Sequence, residues 1–135
     1  RVRHTMNPVI VTKNGKAFLA CGTPGADTQV QTNLQIVTNI IDFGMNAQEA
    51  VEAPRWRSLQ NPMESALPHT CSNHLQLEDR FSRESQDMLV RKGHDLEILG
   101  AWGGQGNAQA ILIHPESRAL IGGSDPRVNG YAIGW

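Results

Sequence analysis

Residues 22–27, which read Gly-Thr-Pro-Gly-Ala-Asp, constrain the fold of this 135-residue chain more than any other stretch. They separate an apolar, strand-like run that ends at Cys21 from the longest helical pattern of the sequence, residues 28–43. A turn from a strand into a helix presents free backbone N–H groups at the positive end of the helix dipole, which suit a phosphate, a carboxylate or a developing oxyanion. The simpler explanation is a tight connection in which Gly22 and Gly25 only supply unusual backbone angles.

Two short apolar runs before this turn predict a β-hairpin. Residues 9–11 and 17–21 are separated by Asn14 and Gly15, a dipeptide that strongly favours a two-residue hairpin turn. Neither run alternates with polar residues. We therefore expect both strands to be covered on two faces inside a layered α/β body.

A broad apolar stripe predicts an amphipathic helix over residues 28–43. Asp27 is placed to cap its first turn, and Gly44 suits the left-handed residue that ends it. We expect the stripe to face the core. Its members are Val30, Leu34, Val37 and Ile41, widened by Ile36, Ile40 and Phe43.

Two further helices carry clear end signals. Asn46 and Glu49 form a capping box at the start of a short helix that Pro54 stops. A third helix is expected between its N-cap, Ser82, and the terminating Gly93. The predicted spans are 47–53 and 83–92.

The remaining patterns predict short strands joined by loops. Residues 60–73 and 100–106 are loops because of their proline, polar and glycine content. The expected strands cover residues 55–58, 75–78, 94–99, 108–114 and 119–122. Together these elements predict an α/β (α+β) fold, a mixed or antiparallel sheet covered by helices, in a single domain over residues 1–135.

Composition and spacing exclude several classes of function. Twelve basic and 13 acidic side chains give a net charge of −1 without a basic block, so nucleic acid is not an expected partner. No apolar run approaches the roughly 20 residues that span a bilayer. The five histidines lack metal-ligand spacing, and no glycine motif matches a Walker or dinucleotide loop. We expect no metal and no cofactor, and Cys21 with Cys71 makes no disulfide framework.

Residues 122–127, Gly-Gly-Ser-Asp-Pro-Arg, follow the last predicted strand. Asp125 and Arg127 can pair around Pro126, and we favour a structural clamp because aspartate in a turn commonly binds its own backbone. No Ser-His-Asp triad can be assembled from the sequence. If the protein is an enzyme, this chain does not visibly carry its own nucleophile.

Four segments become recognisable when they are taken together. They are Met6-Asn7-Pro8; residues 22–27 with the helix end at 42–45; residues 49–55; and residues 122–127 with the trailing Gly130 and Ala132. In this order they resemble the C-terminal part of the small subunit of γ-glutamyltranspeptidases and of the related γ-glutamyltransferase-like acylases. The resemblance covers nearly the whole chain, and the succession is more specific than any one motif.

The resemblance implies the N-terminal nucleophile hydrolase fold, an αββα sandwich, and a precursor that cleaves itself. The new N-terminal threonine of the small subunit is the nucleophile, with its own α-amino group or water as base. In the family that threonine lies well upstream of the segment that matches Met6 to Pro8, so we expect it to be absent from this chain. The threonines present are internal and do not inherit its role. This chain alone is expected to be inactive.

The resemblance also assigns site residues. The family's Gly-Ser-Pro-Gly-Gly turn forms the oxyanion hole and corresponds to residues 22–26, which makes Gly25 and Ala26 the backbone donors. Such a donor is typically worth about 3 kcal/mol in the transition state. A serine pair that binds the α-carboxylate of the substrate corresponds to His4 and Thr5. Only Thr5 keeps a hydroxyl, which favours an acylase-like relative over strict γ-glutamyl specificity.

The leading hypothesis is a C-terminal fragment of an enzyme that cleaves or transfers γ-glutamyl or similar acyl groups from amides through an acyl-enzyme. One alternative is a glutaryl- or cephalosporin-acylase-like amidohydrolase, and another is a non-catalytic assembly or binding domain. The expected partners are the large subunit and the N-terminal part of the small subunit of the same precursor, and a small-molecule amide. The fragment hypothesis predicts exposed apolar sheet surface and a possible homo-oligomer, whereas a self-sufficient domain predicts a polar monomer.

Overall fold

The computed structural model describes residues 6–26, 28–59 and 72–134. Within these ranges the chain forms seven strands and three helices, in the order β-β-α-α-β-β-α-β-β-β. The elements are β1 (Val9–Lys13), β2 (Lys16–Gly22), α1 (Thr28–Ile41), α2 (Ala47–Glu52), β3 (Trp56–Ser58), β4 (His74–Glu78), α3 (Arg83–Arg91), β5 (Asp95–Leu99), β6 (Gln109–Ile113) and β7 (Leu120–Ser124).

The chain divides into two compact units. The first unit consists of Arg1–Ala53 with Gly106–Trp135, and the second unit is Pro54–Gln105. Each unit has its own sheet, four strands in the first and three in the second. That the whole chain is one domain stays a prediction.

The predicted hairpin at the start of the first unit is confirmed. β1 pairs antiparallel with β2, and the turn between them places Asn14 at φ 53° and Gly15 at φ 72°. Two successive residues with positive φ make the turn whose twist matches that of the flanking strands. The predicted hairpin of β6 and β7 is also antiparallel, which completes a sheet of order β1-β2-β6-β7.

The core of the first unit lies on one face of this sheet. Its buried residues are Leu19, Cys21, Ile36, Ile40, Ala47, Ala50, Val51, Ala108 and Ala110. They come from β2, β6 and helices α1 and α2, so the helices cover that face. The glycine at 123 allows a close approach, because a Cβ there would lie 2.4 Å from the backbone oxygen of Ala47 in α2.

The expectation that the first two strands are covered on both faces is wrong for this chain. The register aligns Ile10, Ala20, Ile111 and Gly122 in one row on the face opposite the core. Ile10 remains 71% exposed and Ile111 44% exposed. The unbroken apolar runs do reflect two apolar faces, but among the described residues helices cover only one of them.

The predicted inward stripe of α1 is only partly correct. Ile36 and Ile40 are buried, but Val30 and Leu34 are 64% and 56% exposed. Ile41 and Phe43, also assigned to the stripe, are exposed as well. Apolar residues occupy more than one side of this helix, so periodicity alone did not decide which side meets the sheet. The side that packs inward also carries buried polar residues, among them Thr28, Thr32 and Asn33.

The residues predicted to cap or end the helices take those roles where the structure describes them, although the helices end one or two residues earlier than predicted. Asn46 and Glu49 form the complete capping box, with both hydrogen bonds at 2.9 Å. Gly44 adopts φ 69°, although α1 ends two residues earlier than predicted, at Ile41. The cap assigned to Asp27 lies outside the described residues.

The second unit contains the predicted β-α-β sequence. β4 pairs parallel with β5, α3 lies between them in sequence, and the predicted strand before them is present as β3, antiparallel to β4. Ser82 caps α3, and Gly93 follows it at φ 92°. No helix in the described ranges is long and apolar enough to cross a membrane.

Candidate functional site

The turn between β2 and α1 has an unusual backbone at two adjacent residues. Gly25 adopts φ 135° and Ala26 adopts φ 47°. The first value is one that only glycine takes readily, and a Cβ at Gly25 would lie 2.3 Å from Oγ1 of Thr28. A non-glycine residue with positive φ costs roughly 1–3 kcal/mol and tends to occur at functional sites. The sequence of the turn is therefore fitted to a specific backbone path.

Gly25 and Ala26 lie at the surface, and their N–H groups have no acceptor in the described part of the chain. Their carbonyl groups, by contrast, belong to the first turn of α1. The Gly25 oxygen accepts from Thr28 N at 2.9 Å, and the Ala26 oxygen accepts from Gln29 N at 3.2 Å.

Two threonine hydroxyls hold this turn. Thr28 Oγ1 donates to the carbonyl oxygen of Gly25 at 2.7 Å. Thr23 Oγ1 donates to the carbonyl oxygen of Pro24 at 2.8 Å and accepts from Asn107 N at 2.9 Å. The turn is thus fastened both to the helix that follows it and to the segment that leads into β6.

The predicted pairing of Asp125 and Arg127 is confirmed, and it is a structural clamp. Arg127 Nη1 lies 2.9 Å from Asp125 Oδ1. Asp125 Oδ2 accepts from Ala108 N at 3.0 Å, and the Ala108 oxygen accepts from Asp125 N at 3.0 Å. The guanidinium also donates to the carbonyl oxygens of Val51 at 2.9 Å and Ala53 at 3.0 Å, which ties the end of α2 to the clamp.

The clamp and the turn are linked through two consecutive residues. Ala108 is held by Asp125, and the preceding Asn107 donates to Thr23. On its other side the motif is held to α2, since the Gln48 amide donates to the oxygen and accepts from the N–H of Ser124, each at 3.0 Å. The motif at 122–127 therefore supports the backbone on which the turn at 22–26 rests.

Two residues assigned to the site from sequence, His4 and Thr5, lie outside the described residues. The nearest described segment is Met6 to Pro8, where the Asn7 oxygen accepts from Asn33 Nδ2 of α1 at 2.8 Å. Within the described ranges no group of three or more potential metal ligands comes together. Cys21 is a buried free thiol, and burial raises its pKa.

A buried carboxylate in the second unit was missed by sequence reasoning. Glu78 is fully buried and accepts from Arg55 N at 3.0 Å, Gly104 N at 2.9 Å and Arg80 Nη2 at 2.6 Å. The Arg80 guanidinium also stacks over the ring of Trp102, 3.7 Å from its centre. These contacts fix the glycine-rich loop at 100–106. The only available signal was a glutamate at the end of an alternating strand, which does not reveal burial.

Comparison with known proteins adds family evidence. A family profile described as Gamma-glutamyltranspeptidase matches residues 1–135. The Glutathione hydrolase-like YwrD proenzyme of Bacillus subtilis (strain 168) is 36% identical over 99% of this chain and 24% of its own length. The Glutathione hydrolase proenzyme of Escherichia coli (strain K12) is 37% identical over 91% of this chain and 19% of its own length. The chain thus spans about a fifth to a quarter of these relatives, and the resemblance found in the sequence is confirmed.

Solved structures agree with the sequence comparison. The cephalosporin acylase from Bacillus halodurans matches with a TM-score of 0.79 and 33% identity, over 95% of this chain and 22% of that chain. A mutant of Helicobacter pylori γ-glutamyltranspeptidase matches with a TM-score of 0.76 and 31% identity, over 92% of this chain and 61% of that chain. The predicted fold class, a part of the αββα sandwich of N-terminal nucleophile hydrolases, is confirmed.

Proposed function

Because this chain belongs to the γ-glutamyltranspeptidase family, we propose that it forms the oxyanion-binding part of an amide-cleaving active site completed by other parts of the same precursor. One observation carries the proposal. Gly25 and Ala26 are adjacent exposed residues with positive φ, and neither N–H donates to an acceptor among the described residues. Fixed backbone donors of this kind stabilise the oxygen that becomes negative when an amide carbonyl is attacked.

The proposed reaction begins at a threonine that self-cleavage makes N-terminal and that lies outside these 135 residues. Its hydroxyl oxygen bonds to the amide carbon, its proton passes to its own α-amino group, and the carbonyl electron pair moves to oxygen. The N–H groups of Gly25 and Ala26 hold that charge. Collapse breaks the C–N bond, the amine leaves with the proton, and water or another amine resolves the acyl-threonine ester. By itself this chain is inactive.

The proposed acyl group is γ-glutamyl or a similar dicarboxylic acyl group, whose carboxylate His4 and Thr5 contact. The likeness to the Bacillus halodurans cephalosporin acylase favours a second candidate, an amidohydrolase that acts on glutaryl-type amides. The two differ in whether the acyl group carries an α-amino acid end. The ratio of kcat/KM for a γ-glutamyl anilide and a glutaryl anilide, measured on the complete gene product, decides between them.

The oxyanion assignment is tested by Gly25→Ala in the complete gene product, with Gly22→Ala as the matched control. A Cβ at Gly25 would meet Thr28 Oγ1 at 2.3 Å, whereas a Cβ at Gly22 has nothing within 4 Å. We expect Gly25→Ala to lower kcat on the preferred anilide by about 100- to 1,000-fold with little change in KM. Gly22→Ala should keep the parent rate.

A stricter version removes one N–H alone. Incorporation of lactic acid at position 26 replaces the amide of Ala26 by an ester and keeps the side chain. We expect a loss of kcat of similar size, and full activity in the ester variant would refute the assignment. The isolated 135-residue chain, assayed beside it, should show no turnover.

A further inference from the structure

We infer that Thr23 and Thr28 are positioning residues, each of which fixes one of the two peptide groups that carry the proposed oxyanion donors. The inference rests on the proposed function. It adds two side chains to the oxyanion hole, for which the family resemblance names only backbone N–H groups.

The first peptide group joins Gly25 to Ala26. A peptide group is planar and trans, so its C=O and N–H point in opposite directions. Thr28 donates to the Gly25 oxygen twice, from its backbone N at 2.9 Å and from Oγ1 at 2.7 Å. Thr28 is the buried first residue of α1. These bonds hold the carbonyl towards the helix, and the N–H of Ala26 is therefore directed away from it.

The second peptide group joins Pro24 to Gly25, and the same rule applies. Thr23 Oγ1 donates to the Pro24 oxygen at 2.8 Å, which fixes the direction of the Gly25 N–H. The hydroxyl is itself oriented, because Asn107 N donates to it at 2.9 Å and occupies one of its lone pairs. Asn107 precedes Ala108, which the Asp125 clamp holds at both its N–H and its carbonyl.

The two hydroxyls matter because peptide groups next to a glycine have the conformational freedom to rotate. Rotation of either peptide group would replace a donor by a carbonyl oxygen, which repels a developing negative charge. The positive φ of Ala26 is costly for a non-glycine residue unless neighbouring groups hold it, and Gly25, which has no Cβ, leaves the backbone other conformations to adopt. An oxyanion hole accelerates a reaction only when its donors are already oriented before the charge develops.

The test compares hydroxyl-free and hydroxyl-bearing side chains in the complete gene product. Thr23→Val and Thr28→Val remove the hydroxyl and keep the shape, while Thr23→Ser and Thr28→Ser keep the hydroxyl. Thr28→Ala provides a second hydroxyl-free variant at the buried position. Thr12→Val, on exposed β1, is the matched control. We expect each hydroxyl-free variant to lower kcat about tenfold, less than the loss of a whole donor, with KM unchanged and with recovery in the serine variants.

A second readout separates positioning from general damage. A boronic acid analogue of the acyl group forms a tetrahedral adduct with the nucleophile, and its affinity should fall in parallel with kcat. The affinity for the carboxylic acid product, which carries no such adduct, should stay constant. A loss of kcat that serine does not restore, or a parallel loss of product affinity, overturns the inference.

The two proposals fail in different ways. Parent-like kcat in all hydroxyl-free variants, combined with a slow Ala26 ester variant, overturns the inference and leaves the proposed function intact. A fully active Ala26 ester variant refutes the proposed function, and the inference falls with it. Rates are compared per active site, titrated with a covalent inhibitor, so that incomplete self-cleavage does not count as slow catalysis.

Discussion

Asp125 shows how one buried charge can organise several elements. Its side chain is 0% exposed and that of Arg127 is 2% exposed. Removal of a carboxylate from water is costly unless it is paired and fully hydrogen-bonded. Here Oδ1 accepts from the backbone N and the guanidinium of Arg127, and Oδ2 accepts from Ala108 N. The pair therefore joins the end of β7, the start of β6 and the end of α2.

Asp125→Ala is expected to destabilise the chain by about 3–5 kcal/mol, since it removes the carboxylate that pairs with the buried Arg127 guanidinium. The measurement is urea unfolding of the 135-residue chain. Asp87→Ala is the matched control, because Asp87 pairs with Arg83 at 3.3 Å on an exposed helix surface. Such pairs contribute about 0–1 kcal/mol. Equal losses in the two variants would contradict the clamp.

At the scale of residues, the sequence revealed pairs that are close along the chain and missed those that are not. The Asp125–Arg127 pair is separated by one residue, so turn chemistry alone suggested it. The roles of Thr23 and Thr28 depend on the path of a left-handed turn, which the sequence marks only through Gly25. The contact between Thr23 and Asn107 joins residues 84 positions apart, and no local pattern encodes it.

At the scale of elements, the predictions used two kinds of sequence signal: local signals for caps and turns, and apolar periodicity for burial. Caps and turns, such as the Asn46 capping box and the Asn14-Gly15 hairpin, were predicted correctly because their hydrogen bonds are local. Burial was predicted less well. Apolar residues on both sides of α1, and on both faces of β1 and β2, do not say which side meets a neighbour within this chain. That choice depends on the layers that are present.

The parallel strands β4 and β5 are bridged by a histidine. His74 Nδ1 lies 2.9 Å from Asp95 Oδ2, and Nε2 lies 3.0 Å from Glu97 Oε2. These hydrogen bonds, that to Asp95 first, raise the pKa of His74 above 6.5. A hydrogen bond from Gln76 first, and then that from His74, lowers the pKa of Glu97 below 4.5. The bridge is therefore strongest between pH 4.5 and pH 6.5.

The stabilising contribution of His74 is fully present below pH 6.5, its unfolded pKa, and is lost as the pH rises through the raised folded pKa. We expect the free energy of unfolding to fall over that window in the parent chain, and this fall to be absent from His74→Gln.

An NMR titration should give His74 a pKa above 6.5, and Asp95→Asn should lower this pKa. Asp87→Asn, which removes an acid that His74 does not contact, should leave it unchanged. A pKa of His74 at or below 6.5 in the parent would contradict the bridge.

At the scale of the whole molecule, the face of the first sheet opposite the core distinguishes two hypotheses. A fragment of a larger enzyme should expose apolar residues there, whereas a self-sufficient domain should expose polar ones. Ile10, Ala20 and Ile111 align across three strands, and Leu120, 69% exposed, lies on the same face of β7. Contiguous exposed apolar surface marks an interaction site or an aggregation hazard. In the αββα sandwich of the family a second sheet covers such a face, so this surface is where we expect the rest of the precursor to pack.

The isolated 135-residue chain is therefore expected to self-associate. A large apolar side chain contributes about 1.5–3 kcal/mol when it goes from fully exposed to fully buried. Ile10, Ile111 and Leu120 are 71%, 44% and 69% exposed, so their burial between two copies supplies only part of that value for each side chain. The entropic cost of association is about 4–15 kcal/mol, which is of the same order as this gain, so we expect a weak dimer that forms only as the concentration is raised. Sedimentation velocity over a concentration series measures it. Ile111→Thr with Leu120→Thr should give a monomer, whereas Val30→Thr with Leu34→Gln, on the exposed side of α1, should not. If the parent chain stays monomeric at every concentration, or if only the α1 variant becomes monomeric, the rest of the precursor does not pack on this sheet face.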